Sequence, residues 1–360
     1  MRNVSLVVPT LVGVIVASVT PGITRAGGPE RAMRFRADTA QEATWWQEAS
    51  RKKLFELLKL GDLVAANKLD AQGRPGLPVE AKVLSRKDEA KFTRCEIEIS
   101  STRTRRTKII LTIPSALKEK APAVVCIHGH GGDRNIVYQD ANPYRGFARV
   151  LAESGYVTIS TDVGQHNVFE DGRTLMGERL WDVIRCVDYL TTREEVDPER
   201  IGCAGLSLGG EMAMWLGAMD TRVKATVSSG FLTTVDNMLN GHCPCWNFPG
   251  FTENFDFADI YSLIAPRYLQ CQNGELERAP GGFPVSIAEN AMAEIRGSYE
   301  VSKQGNRAEL LVHPAGHIFD VAAGVKFLDA ALKSKMSDAS RCDYGWTDTV
   351  NARSRALTSR

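Results

Sequence analysis

Apolar residues recur along the first part of the chain at the spacing of a helix. Over residues 39–60, Trp45, Leu54 and Leu58 belong to a set that recurs in three- and four-residue steps, which is the period of one helix face. Gly61 follows this stretch and is a typical residue at a helix end, so we expect the helix to stop there. Over 92–100 polar and apolar residues alternate instead, which predicts a strand.

A second alternating segment, 107–113, predicts the antiparallel partner of that strand. Further along, continuous apolar runs alternate with helical stretches. The apolar runs are 123–127, 156–160, 201–204, 223–227, 267–271 and 309–313. The helical stretches lie near 145–153, 175–190, 208–219 and 285–303 and after residue 319. Short buried strands that alternate with helices predict an α/β fold: a mostly parallel central sheet with helices on both faces, here with an N-terminal helical extension.

The first 26 residues have the features of a secretory signal peptide, namely Arg2, an apolar run over 4–19 and a small-residue cleavage site that ends at Ala26. The apolar run contains Pro9 and is short for a membrane span. We therefore expect a secreted or periplasmic mature protein that is not held in a membrane.

Three segments are expected after the signal peptide. They are a linker over 27–44, the α/β domain over 45–332 and a polar tail over 333–360. The 43% hydrophobic and 24% charged residues are typical of a globular protein. The 44 Lys and Arg residues nearly balance the 43 Asp and Glu residues, so the charge does not indicate nucleic-acid binding.

The eight cysteines do not form the pattern of a small disulfide-linked scaffold. Cys126, Cys203 and Cys271 lie in apolar runs and are predicted to be buried thiols. Cys243 and Cys245 have one residue between them, a spacing that rarely suits a disulfide. The sequence shows no Cys and His spacing typical of zinc sites, so we expect neither a metal nor another cofactor.

The strongest chemical motif is Gly-Leu-Ser-Leu-Gly-Gly at 205–210, between a predicted strand and a predicted helix. A sharp strand-to-helix turn strains the serine backbone and crowds its neighbours, which explains the flanking glycines. Such a turn exposes the serine hydroxyl beside the unpaired N–H groups of the helix, so Ser207 is the candidate nucleophile and the Leu208 N–H a candidate oxyanion donor.

A nucleophilic serine needs a base, and His317 follows the last predicted strand at the carboxyl edge of the sheet. The base in turn needs a carboxylate, which lies between serine and histidine in the chain order of such enzymes. Glu277 suits a Gly-x-x-acid turn after the strand at 267–271, Glu275 is the close alternative, and Asp236 is an outside candidate.

The run His-Gly-His-Gly-Gly at 128–132 follows the first buried strand. Glycines there let the backbone pass close to a substrate, and we favour the His130 N–H as the second oxyanion donor, with Gly131 next. A phosphate-binding loop is not indicated, because the Gly-x-x-x-x-Gly-Lys pattern is absent from the sequence.

The segment 231–260 is rich in aromatic residues and is predicted to be an insertion over the active site. Trp246 is a candidate for stacking against a sugar ring, and the alternative is that these aromatic residues pack the insertion onto the sheet. His166 and His242 lie in predicted loops and are candidate substrate contacts, although plain surface positions suit them equally well.

These motifs together resemble the α/β-hydrolases and, more narrowly, the acetyl xylan esterase-like and dienelactone hydrolase-like group. The similar phrases are HGHGGDR at 128–134, LWDVIRCVDYLTTREEVDPERIGCAGLSLGG at 180–210, LIAPRYLQCQNGELE at 263–277 and HPAGH at 313–317. The resemblance covers about 45–332 and implies Ser207 as nucleophile, His317 as base and position 277 as acid. The group usually has Asp at that position, and this chain has Glu277.

The expected function is that of a secreted, cofactor-independent serine esterase. The resemblance implies acetyl or other acyl esters of carbohydrates as substrates, cleaved through an acyl-enzyme intermediate. Two alternatives stay open on the sequence alone: a serine peptidase of the prolyl-oligopeptidase type, which shares the serine turn, and a catalytically silent binding protein on the same fold.

Overall fold

A nine-stranded sheet forms the centre of the protein, in the strand order β1-β2-β3-β5-β4-β6-β7-β8-β9. The structure is a computed structural model that describes residues 31–70 and 73–334. The strands are β1 (Ala81–Asp88), β2 (Phe92–Ser100), β3 (Arg106–Pro114), β4 (Ala121–Ile127), β5 (Val157–Thr161), β6 (Val196–Leu206), β7 (Val223–Ser229), β8 (Tyr268–Gly274) and β9 (Ala308–His313). The predicted signal peptide and nearly all of the predicted tail lie outside the described residues.

Helices flank the sheet and follow the strands in the alternation that the sequence predicts. The helices are α1 (Ala40–Leu57), α2 (Gly61–Ala66), α3 (Phe147–Glu153), α4 (Leu175–Thr191), α5 (Leu208–Met219), α6 (Val235–Met238), α7 (Phe251–Asn254), α8 (Phe257–Ser262), α9 (Val285–Val301) and α10 (Val321–Leu332). Strands β4 to β9 pair in parallel, and β1 to β3 add an antiparallel edge. The predicted α/β fold is confirmed.

The two faces of the sheet bury separate apolar clusters. Along β4, Val125 points into the cluster under α4, α5, α8 and α9, whereas its neighbour Val124 points into the cluster under α3 and α10. Successive side chains of a strand face opposite sides, so a strand buried on both faces must be apolar throughout. Cys126, Cys203 and Cys271 are fully buried free thiols, as predicted.

The N-terminal helix differs from its prediction at its end. Thr39 caps α1 in a capping box with Glu42, but the helix ends at Leu57, and Gly61 begins α2 instead of stopping α1. The Oγ1 of Thr174 donates to the Leu58 carbonyl at 3.0 Å. This contact satisfies one of the carbonyls that lack an intrahelical partner at the end of α1.

The edge strand β1 was not predicted, because its residues are exposed throughout and lack an apolar alternation. It forms by pairing with β2, where Val83 lies opposite Ile97, and the register shifts at Ser85. No helix within the described residues is long and apolar enough to cross a membrane.

Candidate active site

Ser207 lies in the turn between β6 and α5, with φ 64° and ψ −127°. This is a strained conformation for a residue with a side chain, and it persists only where surrounding contacts impose it. Here the Ser207 N–H donates to the Ser229 carbonyl at 2.9 Å, and the Ser207 carbonyl accepts the Glu211 N–H at 2.9 Å. The strand β7 on one side and the helix α5 on the other therefore hold the serine in place.

The glycines beside Ser207 are required by close backbone approach. A Cβ atom at position 205 would overlap the carbonyl oxygen of Gly209, and one at position 209 would overlap the carbonyl oxygen of Ile127. Any side chain at either position would push α5 away from the sheet. The turn thus explains the spacing of the motif in steric terms.

His317 lies in the loop between β9 and α10, and its Nδ1 is 3.2 Å from Oε1 of Glu277. The other carboxylate oxygen of Glu277 accepts the Phe283 N–H at 2.9 Å. The Glu277 side chain is only 4% exposed, whereas that of His317 is 38% exposed. A carboxylate at Nδ1 favours the tautomer with a proton on Nδ1, which leaves Nε2 as the basic nitrogen.

Two residues that the sequence analysis did not identify hold the His317 ring. Phe283 stacks on it with ring centroids 5.6 Å apart and planes 18° apart. On another side lies Gly230, with φ 57°, where an added Cβ would come within 2.7 Å of Cε1 and 2.9 Å of Nδ1 of the imidazole. A glycine directly after the strand β7 was the available sequence signal for this contact.

The alternative acids lie elsewhere. Glu275 is exposed, and its N–H donates to the His313 carbonyl at 2.9 Å. Asp236 is exposed in the first turn of α6. Neither carboxylate contacts His317 within the described part of the chain, so the structure brings Glu277 alone of the three to the imidazole.

The loop that carries His130 is anchored by the neighbouring His128. The His128 imidazole is fully buried, its Nδ1 donates to the Gly129 carbonyl at 2.8 Å, and its Nε2 accepts the Val163 N–H at 3.1 Å. Burial lowers the pKa of His128, so the ring is neutral and suited to one donated and one accepted bond. The Gly129 N–H donates to the Tyr144 hydroxyl at 2.6 Å and fixes the loop further.

A cavity of about 550 Å³ brings the predicted site residues together. Its lining includes Ser207, Leu208, His130, Glu277 and His317. The nucleophile, base, acid and both oxyanion donors predicted from the sequence thus border one space at the carboxyl ends of the parallel strands. That edge is where open α/β sheets bind ligands.

Glu211 also lines this cavity, and the sequence analysis did not identify it. Its side chain is 1% exposed, and burial raises its pKa to about 8 although the charge of Arg179 opposes the shift. The signal for it was an isolated acid in the otherwise apolar helix α5, one turn after Ser207. At neutral pH it is a protonated group that can donate a hydrogen bond.

Trp246 borders the cavity but is 2% exposed. Its ring packs edge-on against Phe257 at 5.6 Å and against Phe251 at 6.1 Å. It has no free face for a sugar, so its burial supports the packing alternative for the aromatic residues of 231–260.

The two loop histidines occupy different positions. His166 is exposed and does not border the described cavity; its Nε2 lies 3.3 Å from Sγ of Cys243. His242 borders the cavity, with its ring centroid 4.9 Å from that of Phe283. Burial lowers the pKa of His242. Of the two, His242 is thus the one placed for a substrate contact.

Comparison with known proteins finds similarities over the central segment of the chain. Residues 109–237 match the family model described as the dienelactone hydrolase family. YtaP of Bacillus subtilis is 30% identical over 180 residues, a segment that covers 43% of this chain and 60% of that protein. The chain therefore matches about three fifths of the length of this relative.

Solved structures share the fold at low sequence identity. A glucuronoyl esterase from Solibacter usitatus aligns with a TM-score of 0.63 and 17% identity over 85% of this chain and 98% of that one. An acetyl xylan esterase from Paenibacillus sp. R4 aligns with a TM-score of 0.57 and 16% identity over 83% of this chain and 98% of that one. These likenesses show that the chain shares the fold of these esterase structures, and its residues 109–237 are similar to the dienelactone hydrolase family.

Proposed function

We propose that this protein is an exported serine esterase that cleaves acyl esters of carbohydrates through an acyl-enzyme intermediate. The observation that carries the proposal is the contact between His317 and the buried Glu277 beside the cavity that Ser207 also lines. A strained serine, an oriented imidazole and a buried carboxylate are the three groups that activate a hydroxyl at neutral pH.

The first half of the reaction transfers the acyl group to the protein. The Oγ of Ser207 attacks the ester carbonyl carbon while Nε2 of His317 takes the hydroxyl proton. The carbonyl oxygen becomes an oxyanion that the N–H groups of Leu208 and His130 stabilise. His317 then gives its proton to the alcohol oxygen, the carbon–oxygen bond of the ester breaks, and the alcohol leaves.

The second half restores the serine. His317 removes a proton from a water molecule, and the resulting hydroxide attacks the acyl carbon. The second tetrahedral intermediate collapses, Ser207 leaves with the proton held by His317, and a carboxylic acid is released. Glu277 stabilises the imidazolium in both halves without itself being protonated.

The substrate class rests on the comparisons. The structural neighbours named above are esterases of carbohydrate substrates by their names, which supports a carbohydrate ester as substrate. Export rests on the features of residues 1–26, and the N-terminal sequence of the protein recovered outside the cytoplasm of a producing cell tests it.

Covalent labelling tests the mechanism. A fluorophosphonate probe is expected to label Ser207, and Ser207→Ala is expected to abolish labelling and lower kcat/KM for p-nitrophenyl acetate by at least about 10⁴-fold. The matched control is Ser302→Ala, just after α9, which is expected to change neither. Full activity of folded Ser207→Ala contradicts the proposal, and a preference for aminoacyl nitroanilides over acyl esters favours the peptidase alternative.

A further inference from the structure

Four side chains with metal-binding atoms meet beside the cavity, and three of them, His130, Cys243 and Cys245, line it. The ligand atoms of His130, His166, Cys243 and Cys245 all lie within 4.8 Å of one another. The Nε2 of His130 is 3.1 Å from Sγ of Cys245, and the Nε2 of His166 is 3.3 Å from Sγ of Cys243. Each thiol therefore faces a different imidazole nitrogen.

We propose that these four residues bind a structural Zn²⁺ ion. Two thiolates and two imidazoles form a donor set that favours tetrahedral zinc. With Zn–S near 2.3 Å and Zn–N near 2.05 Å, the edges of such a tetrahedron are about 3.3–3.8 Å. The His130–Cys245 and His166–Cys243 pairs are already near that length, and a pair at the 4.8 Å limit would need to approach by about 1.0–1.5 Å, depending on which atoms form it.

The ligands come from three separate loops at the carboxyl ends of the strands. His130 follows β4, and His166 follows β5. Cys243 directly precedes a short 3-10 turn over Pro244–Trp246, and Cys245 lies within that turn. The sequence analysis expected no metal because only the two cysteines are close along the chain. The neighbouring positions of β4 and β5 in the sheet bring the two histidines together, with ring centroids 5.4 Å apart.

A buried arginine supplies an independent argument for thiolate charge at this place. Arg179 is fully buried, and its Nη1 lies 3.3 Å from Sγ of Cys245. Its other terminal nitrogen, Nη2, donates to the carbonyl oxygen of Gln165. A zinc-bound thiolate accepts this N–H···S hydrogen bond more strongly than a neutral thiol does, so the guanidinium is placed to orient and stabilise a thiolate ligand.

The ion would join the cavity wall to the loop of the candidate oxyanion donor. Cys243 and Cys245 line the cavity, and His130 carries the N–H assigned to the oxyanion. Zinc would thus hold the segment 243–245 against the 128–132 loop. With four protein ligands the site is closed, so the role is a structural one, and the inference does not depend on the proposed esterase activity.

Metal analysis of the purified full chain tests this inference. We expect elemental analysis to find one zinc ion per chain. When Co²⁺ replaces the zinc, we expect the visible absorption of a tetrahedral centre together with thiolate-to-cobalt charge transfer. Cys243→Ser and His166→Ala are each expected to weaken Co²⁺ binding by more than about 100-fold. His166 is exposed, so its substitution leaves the fold intact, which circular dichroism verifies.

The matched control is Cys95→Ala, which removes a thiol of β2 outside the cluster and is expected to leave the stoichiometry and spectrum unchanged. Three results overturn the inference: no binding of Zn²⁺ or Co²⁺ by the folded, reduced protein; equal binding by wild type and His166→Ala; or a Cys243–Cys245 disulfide whose reduction in the presence of zinc yields no bound metal. These readouts do not involve hydrolysis, so they are separate from the test of Ser207.

Discussion

Nδ1 of His317 lies 3.2 Å from Oε1 of Glu277, 40 residues away in the chain. The second oxygen of this carboxylate accepts the backbone N–H of Phe283. The group that the sequence resembles usually has Asp at this position, and the longer Glu277 carboxylate is held here between His317 and the Phe283 N–H. The substitution of Glu for Asp is therefore compatible with a positioned imidazole.

This contact predicts a clear difference between two neighbouring acids. Glu277→Gln removes the charge that stabilises the imidazolium, so we expect kcat for p-nitrophenyl acetate to fall by about 10²–10⁴-fold. Glu275→Gln changes an exposed carboxylate outside the contact and is expected to keep kcat within about twofold. Steady-state kinetics of the two variants decide between them, and the opposite ranking would transfer the role of the acid to Glu275.

Gly230 is predicted to determine the position of the His317 imidazole. In Gly230→Ala the new Cβ would come within 2.7 Å of the His317 ring at a positive φ, so the imidazole must move. We expect at least about a 10²-fold loss of kcat, because a displacement of about 1 Å has costs of that order.

Gly297→Ala is the matched control for Gly230→Ala. It lies in α9 with open space around its added Cβ, so it is expected to keep full activity and to stabilise the protein by about 0.5–1 kcal/mol. Kinetics and thermal unfolding of both variants test the pair. Wild-type kcat in Gly230→Ala would show that the loop around His317 adapts freely.

Glu211 is predicted to make stability depend on pH. Burial raises its pKa in the folded state to about 8, above the ordinary value of 4.5, so the folded protein holds this proton more tightly than the unfolded chain. The contribution of Glu211 to stability is complete below about pH 4.5 and declines as the pH rises to about 8.

Glu211→Gln replaces the acid with a neutral group of the same shape and removes that decline. The free energy of unfolding of the variant relative to wild type is therefore expected to increase across this pH window, as measured by urea denaturation at several pH values with the metal content held constant. Parallel pH profiles for the two proteins would mean that Glu211 is ionised in the folded state.

His128 is predicted to be a structural residue although it belongs to a glycine-rich motif of the site. His128→Ala leaves the buried Val163 N–H without its partner and removes one of two hydrogen bonds to the Gly129 carbonyl, and we expect a loss of about 2–4 kcal/mol in the free energy of unfolding. The comparison variant is His166→Ala, which removes an exposed imidazole. With a chelator present, it is expected to change the free energy of unfolding by less than about 0.5 kcal/mol. Equal stabilities would contradict the buried hydrogen bonds of His128.

The sheet and the serine turn were predictable because their causes are local. A strand such as β4, buried on both faces, needs an uninterrupted apolar run, and the turn at Ser207 needs small neighbours for steric reasons. The strand β1 was not predictable in this way, because pairing with β2 and not an apolar face holds it in the sheet.

The sequence by itself determined the fold class and the serine turn, since each follows from a period or a spacing along short segments, and it proposed Ser207, Glu277 and His317 as nucleophile, acid and base. Only the tertiary structure decided that Glu277 and not Glu275 reaches His317, that Trp246 is buried, and which side chains crowd each histidine. The physical reason is that these relations are distances between loops far apart in the chain, and such distances depend on the order of strands in the sheet and on the path of every loop that leaves it.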